Sequence, residues 1–268
     1  MLCAIRKDTG KTVLASRESG ADRLFVCPAC AAPVILRRGR LRVDHFAHKR
    51  TVACAHGEGE TDAHRRCKAE IYEALLRAPH VSDVRLERQL HDVRPDVSAR
   101  INGVPVAIEV QISNLTVETV IRRTEEYARR GIHLLWLAQW TPRLDSARYS
   151  PRPWERWVHA AYFGRVFYWL QGTSVVPYHF DLVHVRVPKH TWVGPSGRHM
   201  TGGGYKRVSR RFRQAVRGQT LDILADFDKR ERDAWQAGET RIPRAKLFSD
   251  SGASFWRNPQ EEDYGLMI

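Results

Sequence analysis

From residue 57 to residue 140 the apolar positions switch between helical and strand periods. In GEGETDAHRRCKAEIYEALLRAP (57–79), Ala63, Cys67, Ile71, Ala74 and Leu75 recur at helical spacing. Thr61 is placed to cap that helix, Asp62 suits its first turn and Pro79 follows its end. A strand is expected over about 83–90, DVRLERQL. RPDVSARINGVPVAIEVQIS (94–113) alternates on either side of Asn102-Gly103, the dipeptide that a two-residue type I′ turn favours because both positions need positive φ. Paired strands at about 94–101 and 104–113 follow from it. A helix is predicted over about 116–130, with Val117, Val120, Ile121 and Thr124 on one side. IHLLWLAQW (132–140) is a continuous apolar run, the pattern of a buried parallel strand. The order is helix, three strands, helix, strand.

Taking Asn102 and Gly103 as the turn fixes the hairpin register. Ile101 faces Val104, Ala99 faces Val106 and Val97 faces Ile108, an apolar face. The other face sets Asp96 opposite Glu109, with Gln111 two residues further along. Two like charges at ~4 Å repel by about 4 kcal/mol at an effective dielectric of about 20. A divalent metal would turn that liability into a site; the plainer reading is a solvated polar face. Glu87 alternates with Leu86 and Arg88, so it joins the polar face of Asp96. On the first helix, Glu60, His64 and Lys68 recur every four residues beside the apolar stripe, either as an ordinary polar flank or as a row looking into a cleft.

The flanks read differently. Residues 1 to about 56 form a β-rich module in which Cys27-x2-Cys30 and His45-x2-His48 lie on either side of a hairpin expected around Arg38-Gly39. Zinc favours four such ligands in a tetrahedron. His-x2-His is tighter than the usual finger spacing, so Cys54 or His56 is a replacement for one histidine. Five unevenly spaced cysteines do not suggest a disulfide framework. After residue 141 the pattern weakens: 154–180 is aromatic, with a short helix and then a hairpin expected. Residues 189–217 hold eight Lys or Arg and no acid, interleaved with Trp192, Tyr205 and Phe212. That suits a nucleic-acid surface, with Lys206, Arg207, Arg210, Arg211 and Arg213 as contacts, or else a flexible tail, because TGGG cannot pack a core.

The 268-residue chain carries 44 Lys and Arg against 30 Asp and Glu, a formal +14 that points to nucleic acid as partner rather than an anionic membrane. It has no run of about 20 apolar residues for a membrane span, and its first residues break too early for a signal peptide. A cytoplasmic protein without membrane insertion is expected.

Four ordered segments, CPAC…VILRRGRLRVDHFAH, GEGETDAHRRCK, RPDV…VAIEVQIS and RTEEYARRGIHLLW, resemble the CoiA-like competence protein family over roughly residues 20 to 140. The resemblance implies an α/β fold with a zinc-ribbon-like module (1–56), a PD-(D/E)XK restriction-endonuclease-like core (57–140) and an aromatic, basic α+β extension (141–268). It places metal-binding carboxylates at Asp96 and Glu109 and puts Gln111 where lysine usually stands. Glu87, Glu60, His64 and Lys68 fall at accessory catalytic positions, and Arg122 and Tyr127 become active-site neighbours, Arg122 as a contact to the nucleic acid. Lys68 is a candidate for the missing charge. The expected function is DNA hydrolysis with Mg²⁺ or Mn²⁺ at Asp96 and Glu109, and structural Zn²⁺ at Cys27, Cys30, His45 and His48. Recombination or transformation proteins are expected as further partners. The rivals are a non-cutting DNA-binding or scaffolding module on the same fold, and a defence or repair nuclease unrelated to competence.

Overall fold

A computed structural model describes residues 1–19, 24–40, 42–54, 60–112, 114–238 and 240–252; His56 lies outside them. The N-terminal sheet holds β1 (Cys3–Arg6), β2 (Thr12–Leu14), β3 (Phe25–Val26), β4 (Pro33–Arg37) and β5 (His45–His48), in the order β2-β1-β3-β4-β5. It encloses its own small core of Met1, Ala4, Ala15, Phe25, Cys27, Val34, Phe46 and Cys54. Arg37 pairs with His45, so two antiparallel strands do flank Arg38-Gly39, the second beginning later in the chain than the sequence suggests. Pairing resumes at His45, beside the buried Phe46.

The main body follows the predicted order. Helix α1 (Asp62–Arg77) is capped by the Thr61 hydroxyl, which accepts the His64 N–H at 3.2 Å. It leads into β6 (Val81–Leu86), β7 (Val97–Ile101) and β8 (Val104–Gln111). Strand β6 stops short of the expected residue 90 because Glu87 turns to φ +50°. The β7–β8 register is the one the Asn-Gly turn dictates, Val97 facing Ile108 through Ile101 facing Val104, with φ +49° at Asn102 and +78° at Gly103. Its second face is exposed at Arg100 near the turn, but Ser98, Ala107 and Glu109 further along are buried.

Helix α2 (Val117–Arg129) carries the chain back to β9 (His133–Gln139), parallel to β8. Helix α3 (Pro153–Ala161) leads to β10 (Val166–Gln171), parallel to β9, and then to β11 (Ser174–Val187). Small hairpin strands β12 (His190–Val193) and β13 (His199–Gly202) precede β14 (Tyr205–Arg217), which pairs along β11. Short β15 (Leu221–Asp222) follows, then β16 (Phe227–Arg232), β17 (Trp235–Ala237), β18 (Thr240–Ile242) and β19 (Ala245–Asp250). The ladder runs β14-β11-β10-β9-β8-β7-β6. Strand β9 gives one edge to β8 and divides the other, with Leu137 to Gln139 on β10 and Leu134 on β19. One apolar cluster joins Val97, Trp136, Trp154, Tyr178 and Phe248, so sheet and core both run through the boundary expected near residue 140.

Residues 189–217 are a structured arm and not a loose tail. Beyond Leu182 the β11–β14 ribbon leaves the core, and its residues are exposed or half-buried apart from Ser209. The TGGG segment marks its bend. Gly203 has φ +82°, and a Cβ there would sit 2.0 Å from the Pro188 carbonyl oxygen.

Candidate functional site

Two clusters of chemically active side chains lie in the structure. In the N-terminal module, the ligand atoms of Cys27, Cys30, His48 and Cys54 all fall within 4.8 Å of one another. Cys27 Sγ is 3.9 Å from Cys54 Sγ, and Cys30 Sγ is 3.3 Å from His48 Nε2. Burial pushes the Cys27 thiol up to about 11, while the Ala32 backbone N–H draws the exposed Cys30 down. Three sulfurs and an imidazole can hold a metal such as zinc.

His45 is not part of this group, which corrects the expected Cys27/Cys30/His45/His48 set. The reason is strand parity: residues three apart on a strand point to opposite faces. His48 shares its face with Val34 and Phe46, the face of the small core, whereas His45 pairs with Arg37 and keeps its Nδ1 2.9 Å from the Val43 carbonyl. Cys54, the alternative ligand, takes its place.

The second cluster surrounds Lys68. Helix periodicity brings His64 and Lys68 to one side of α1, and Glu60 joins them from just before the cap. Asp96 meets them from just before β7, where the paired ladder ends at Val97 and Ile108, one position short of the expected Asp96–Glu109 pair. Lys68 Nζ forms an ion pair with Glu60, lies 2.6 Å from Glu87 Oε1 and 3.6 Å from Asp96 Oδ1. Asp96 Oδ2 accepts the Val110 N–H at 2.9 Å and sits 3.1 Å from His64 Nε2. Glu109 Oε1 accepts from the Arg123 guanidinium and from the Tyr127 hydroxyl, the latter at 2.6 Å. Glu87 has a docking role as well, because its carboxylate accepts the Leu2 N–H at 3.2 Å and the Cys3 N–H at 3.4 Å, tying the first strand to the main body.

Environment separates the two hairpin carboxylates. Burial opposes ionisation of Asp96, but Lys68 and the bonded His64 outweigh it and hold the group down to about 2. Burial pushes Glu109 up to about 7; the Arg123 guanidinium pulls against this and the Asp96 charge adds to it. Burial also works against the Lys68 charge, yet Glu87, Asp96 and Glu60 keep its pKa above the ordinary 10.5. The side chains of Asp96 and His64 are 16% and 22% exposed against 3% for Lys68, so the cluster opens to solvent on their side.

Among the other residues singled out, Gln111 ends β8, is buried, and lines a cleft with Ile112, Tyr149, Arg152 and Phe212. Arg122 is exposed and stands apart from Glu109; Arg123 makes that contact instead. Arg123 precedes Tyr127 by four residues and shares its helix face, whereas Arg122 is five residues away and turned aside. That spacing was the available signal for Arg123. On the arm, Lys206, Arg207, Arg210 and Arg211 are exposed, while Arg213 turns back to the Ser209 carbonyl at 2.7 Å.

The family model described as "Competence protein CoiA, N-terminal domain" matches residues 11–57, and "Competence protein CoiA, nuclease-like domain" matches residues 60–155. Together these matches take in more than half of the chain. This chain belongs to the CoiA-like family. A curated relative, "Competence protein CoiA" of Bacillus subtilis (strain 168), is 32% identical over 118 residues, 43% of this chain and 31% of that protein's own length. No solved structure matches. The clusters fall on the matched segments, the sulfur–imidazole group in the first and Glu60 through Tyr127 in the second. No helix among the described residues is long and apolar enough to cross a membrane.

Proposed function

We propose that this chain is a divalent-metal-dependent DNA nuclease of the PD-(D/E)XK type, a cytoplasmic protein acting in competence and stabilised by a zinc-binding N-terminal module. The observation that carries the reading is the buried cation of Lys68 3.6 Å from Asp96 Oδ1, while Asp96 Oδ2 accepts the N–H of Val110, the residue next to Glu109. The order helix, three-stranded meander, helix, parallel strand supports it.

The donor set fits Mg²⁺ or Mn²⁺. Its oxygens are hard, and the four carboxylates of Glu60, Glu87, Asp96 and Glu109 lie beside as many cations, Lys68, Arg65, Arg123 and the Met1 amino group, with which an ion would compete. Asp96 and Glu109 would hold the ion, which when bound supplies a Lewis acid and a more acidic water. Lys68 supplies the positive charge that Gln111 lacks, from α1 and not from the strand. His64, hydrogen-bonded to Asp96 and open to solvent, is placed to take a proton from an attacking water. Gln111 positions water or substrate through its amide.

A second reading has an observation of its own. Asp96 and Glu109 are already partnered by Lys68, His64, Arg123 and Tyr127, as they would be in a DNA-binding module that does not cut. A cleavage assay on single-stranded, duplex and branched DNA, with Mg²⁺ or Mn²⁺ and with Asp96→Ala alongside, separates the two. Metal-dependent cutting that the substitution abolishes supports the nuclease; equal cutting by both proteins, in preparations free of other nucleases, removes the hairpin as its site.

A further inference from the structure

The cleft that begins at Gln111 leads away from the carboxylates along a line of arginines that the nuclease reading leaves unused. Its volume is about 540 Å³, and its walls include Arg143, Arg148 and Arg152, with Tyr149 and Phe212 as aromatic surfaces. Arg143, Arg148 and Arg152 are all exposed. The acid in its floor, Glu155, is buried and covered by its own donors: the Tyr149 and Tyr168 hydroxyls, each at 2.8 Å, and the Arg152 N–H at 2.7 Å. The charge presented to solvent by these walls is therefore the arginines'.

The far wall is made by an irregularity in the arm. Leu182 pairs with Arg213 and His184 with Val208, so Ser209, Arg210, Arg211 and Phe212 bulge out opposite Val183. Such a bulge re-aims side chains, and here it is fixed at several points. The Phe212 N–H donates to Ser209 Oγ at 2.9 Å, Tyr149 and Arg213 exchange backbone hydrogen bonds at 2.8 Å, and Arg156 donates to the Arg211 carbonyl at 3.0 Å. The bulge delivers the Phe212 ring to the cleft wall, with the Arg211 guanidinium 5.1 Å from it. Gln111 lies two residues from Glu109 on the same strand face, about 7 Å along the strand.

We propose that this cleft binds an unpaired stretch of DNA and leads it past Gln111 to the Asp96–Glu109 cluster, the arginines taking phosphates and Phe212 stacking on a base. Arginines beside an aromatic platform recognise single strands without regard to sequence. The volume accommodates an unpaired nucleotide and not a duplex. The destination of the strand rests on the nuclease reading; the binding itself does not.

The test is fluorescence anisotropy with a labelled oligothymidine and with a duplex of equal length. Zinc-loaded full chain is used in buffer without added Mg²⁺ or Mn²⁺, so that cleavage plays no part. Arg143→Ala/Arg148→Ala removes exposed side chains and spares Arg152, which holds the Ile112 carbonyl at 2.8 Å. It is expected to weaken oligothymidine binding and to flatten the log–log salt slope by about 1.4, at roughly 0.7 per lost single-strand phosphate contact. Phe212→Ala is expected to weaken the same binding about tenfold, with duplex binding much less affected by either change. Unchanged affinity and slope in both variants overturns the proposal, as does an equal loss for duplex. Loss of single-strand binding in a protein that never cuts DNA leaves the cleft standing and fails only the nuclease reading.

Discussion

In the N-terminal module the sulfurs of Cys27, Cys30 and Cys54 and the His48 imidazole turn toward one another. Under α1 the oxygens of Asp96 and Glu109 turn instead toward Lys68, His64, Arg123 and Tyr127. The first arrangement leaves a metal as the natural common partner of its ligands. The second is largely neutralised by the protein's own cations and can fold without an ion, which then has to compete with Lys68 and Arg123. One cluster reads as part of the folding energy, the other as a place of exchange.

The largest expected difference concerns zinc. Purified protein should hold one zinc per chain, and Cys27→Ser/Cys54→Ser should lose it together with the fold of the N-terminal module, since structural zinc contributes on the order of 10 kcal/mol. His45→Ala should keep the metal. Stoichiometric zinc in the double serine variant, measured by elemental analysis, would break the assignment.

Next in size is Asp96→Ala. Cleavage should fall about a thousandfold, several kcal/mol of transition-state stabilisation. The protein should also be less stable by about 1–3 kcal/mol, because the Val110 N–H loses its acceptor. The sequence alone suggested a gain in stability from relieved repulsion; the partners of each carboxylate reverse that sign. A urea midpoint above wild type would show that the two charges do oppose one another.

Arg123→Ala should cost about 2 kcal/mol, because the buried Glu109 loses a charged hydrogen-bond donor. Arg122→Ala should stay within about 0.5 kcal/mol. Equal midpoints for the two variants would show that the Arg123–Glu109 pair contributes nothing in solution.

The last comparison is in pH dependence, measured without added Mg²⁺ or Mn²⁺. Glu109 binds its proton more tightly folded, near 7, than at the ordinary 4.5, so its contribution to stability declines as pH rises through that window. Asp96, held at about 2, works the other way, and its stabilising share is lost only as pH falls below about 4 toward 2. Glu109→Gln should flatten the decline between pH 5 and pH 7 (about 4.5 to 7 being the titration window). A slope identical to wild type would show that Glu109 titrates as an ordinary carboxylate.

Much of the matched region was legible because local rules govern it. Asn102-Gly103 sets the hairpin register, Thr61 caps α1, and the i, i+4 pair His64 and Lys68 does gather on one side, where Glu60 reaches both from just before the cap. The errors share a cause, which is reading spacing without the element that carries it. His45-x2-His48 looks like a ligand pair until strand parity separates the two rings. Arg123 was missed the same way, since its four-residue spacing from Tyr127 counts only once the helix is in view. The arm was missed for another reason: on β11 half-buried Val183, Val185 and Val187 alternate with exposed Leu182, His184 and Arg186, but their partner stretch Tyr205–Val208 is exposed throughout and shows no matching pattern. The cleft wall depends on a bulge, and no local pattern brings residue 212 beside residue 149.

The divided edge of β9 has a consequence during synthesis. Residues of β10 reach Leu137 about 30 positions after β9 is made, but Leu247 must return to Leu134 from more than 110 positions away. At ordinary translation speed that half-edge waits roughly 5–20 s for its partner. Through that interval a strand rich in leucine offers unpaired backbone groups to whatever extended chain is nearby. A nascent or shortened chain that ends before β19 keeps this opening, and two such chains meeting there have an aggregation route that the finished protein closes with its last described strand.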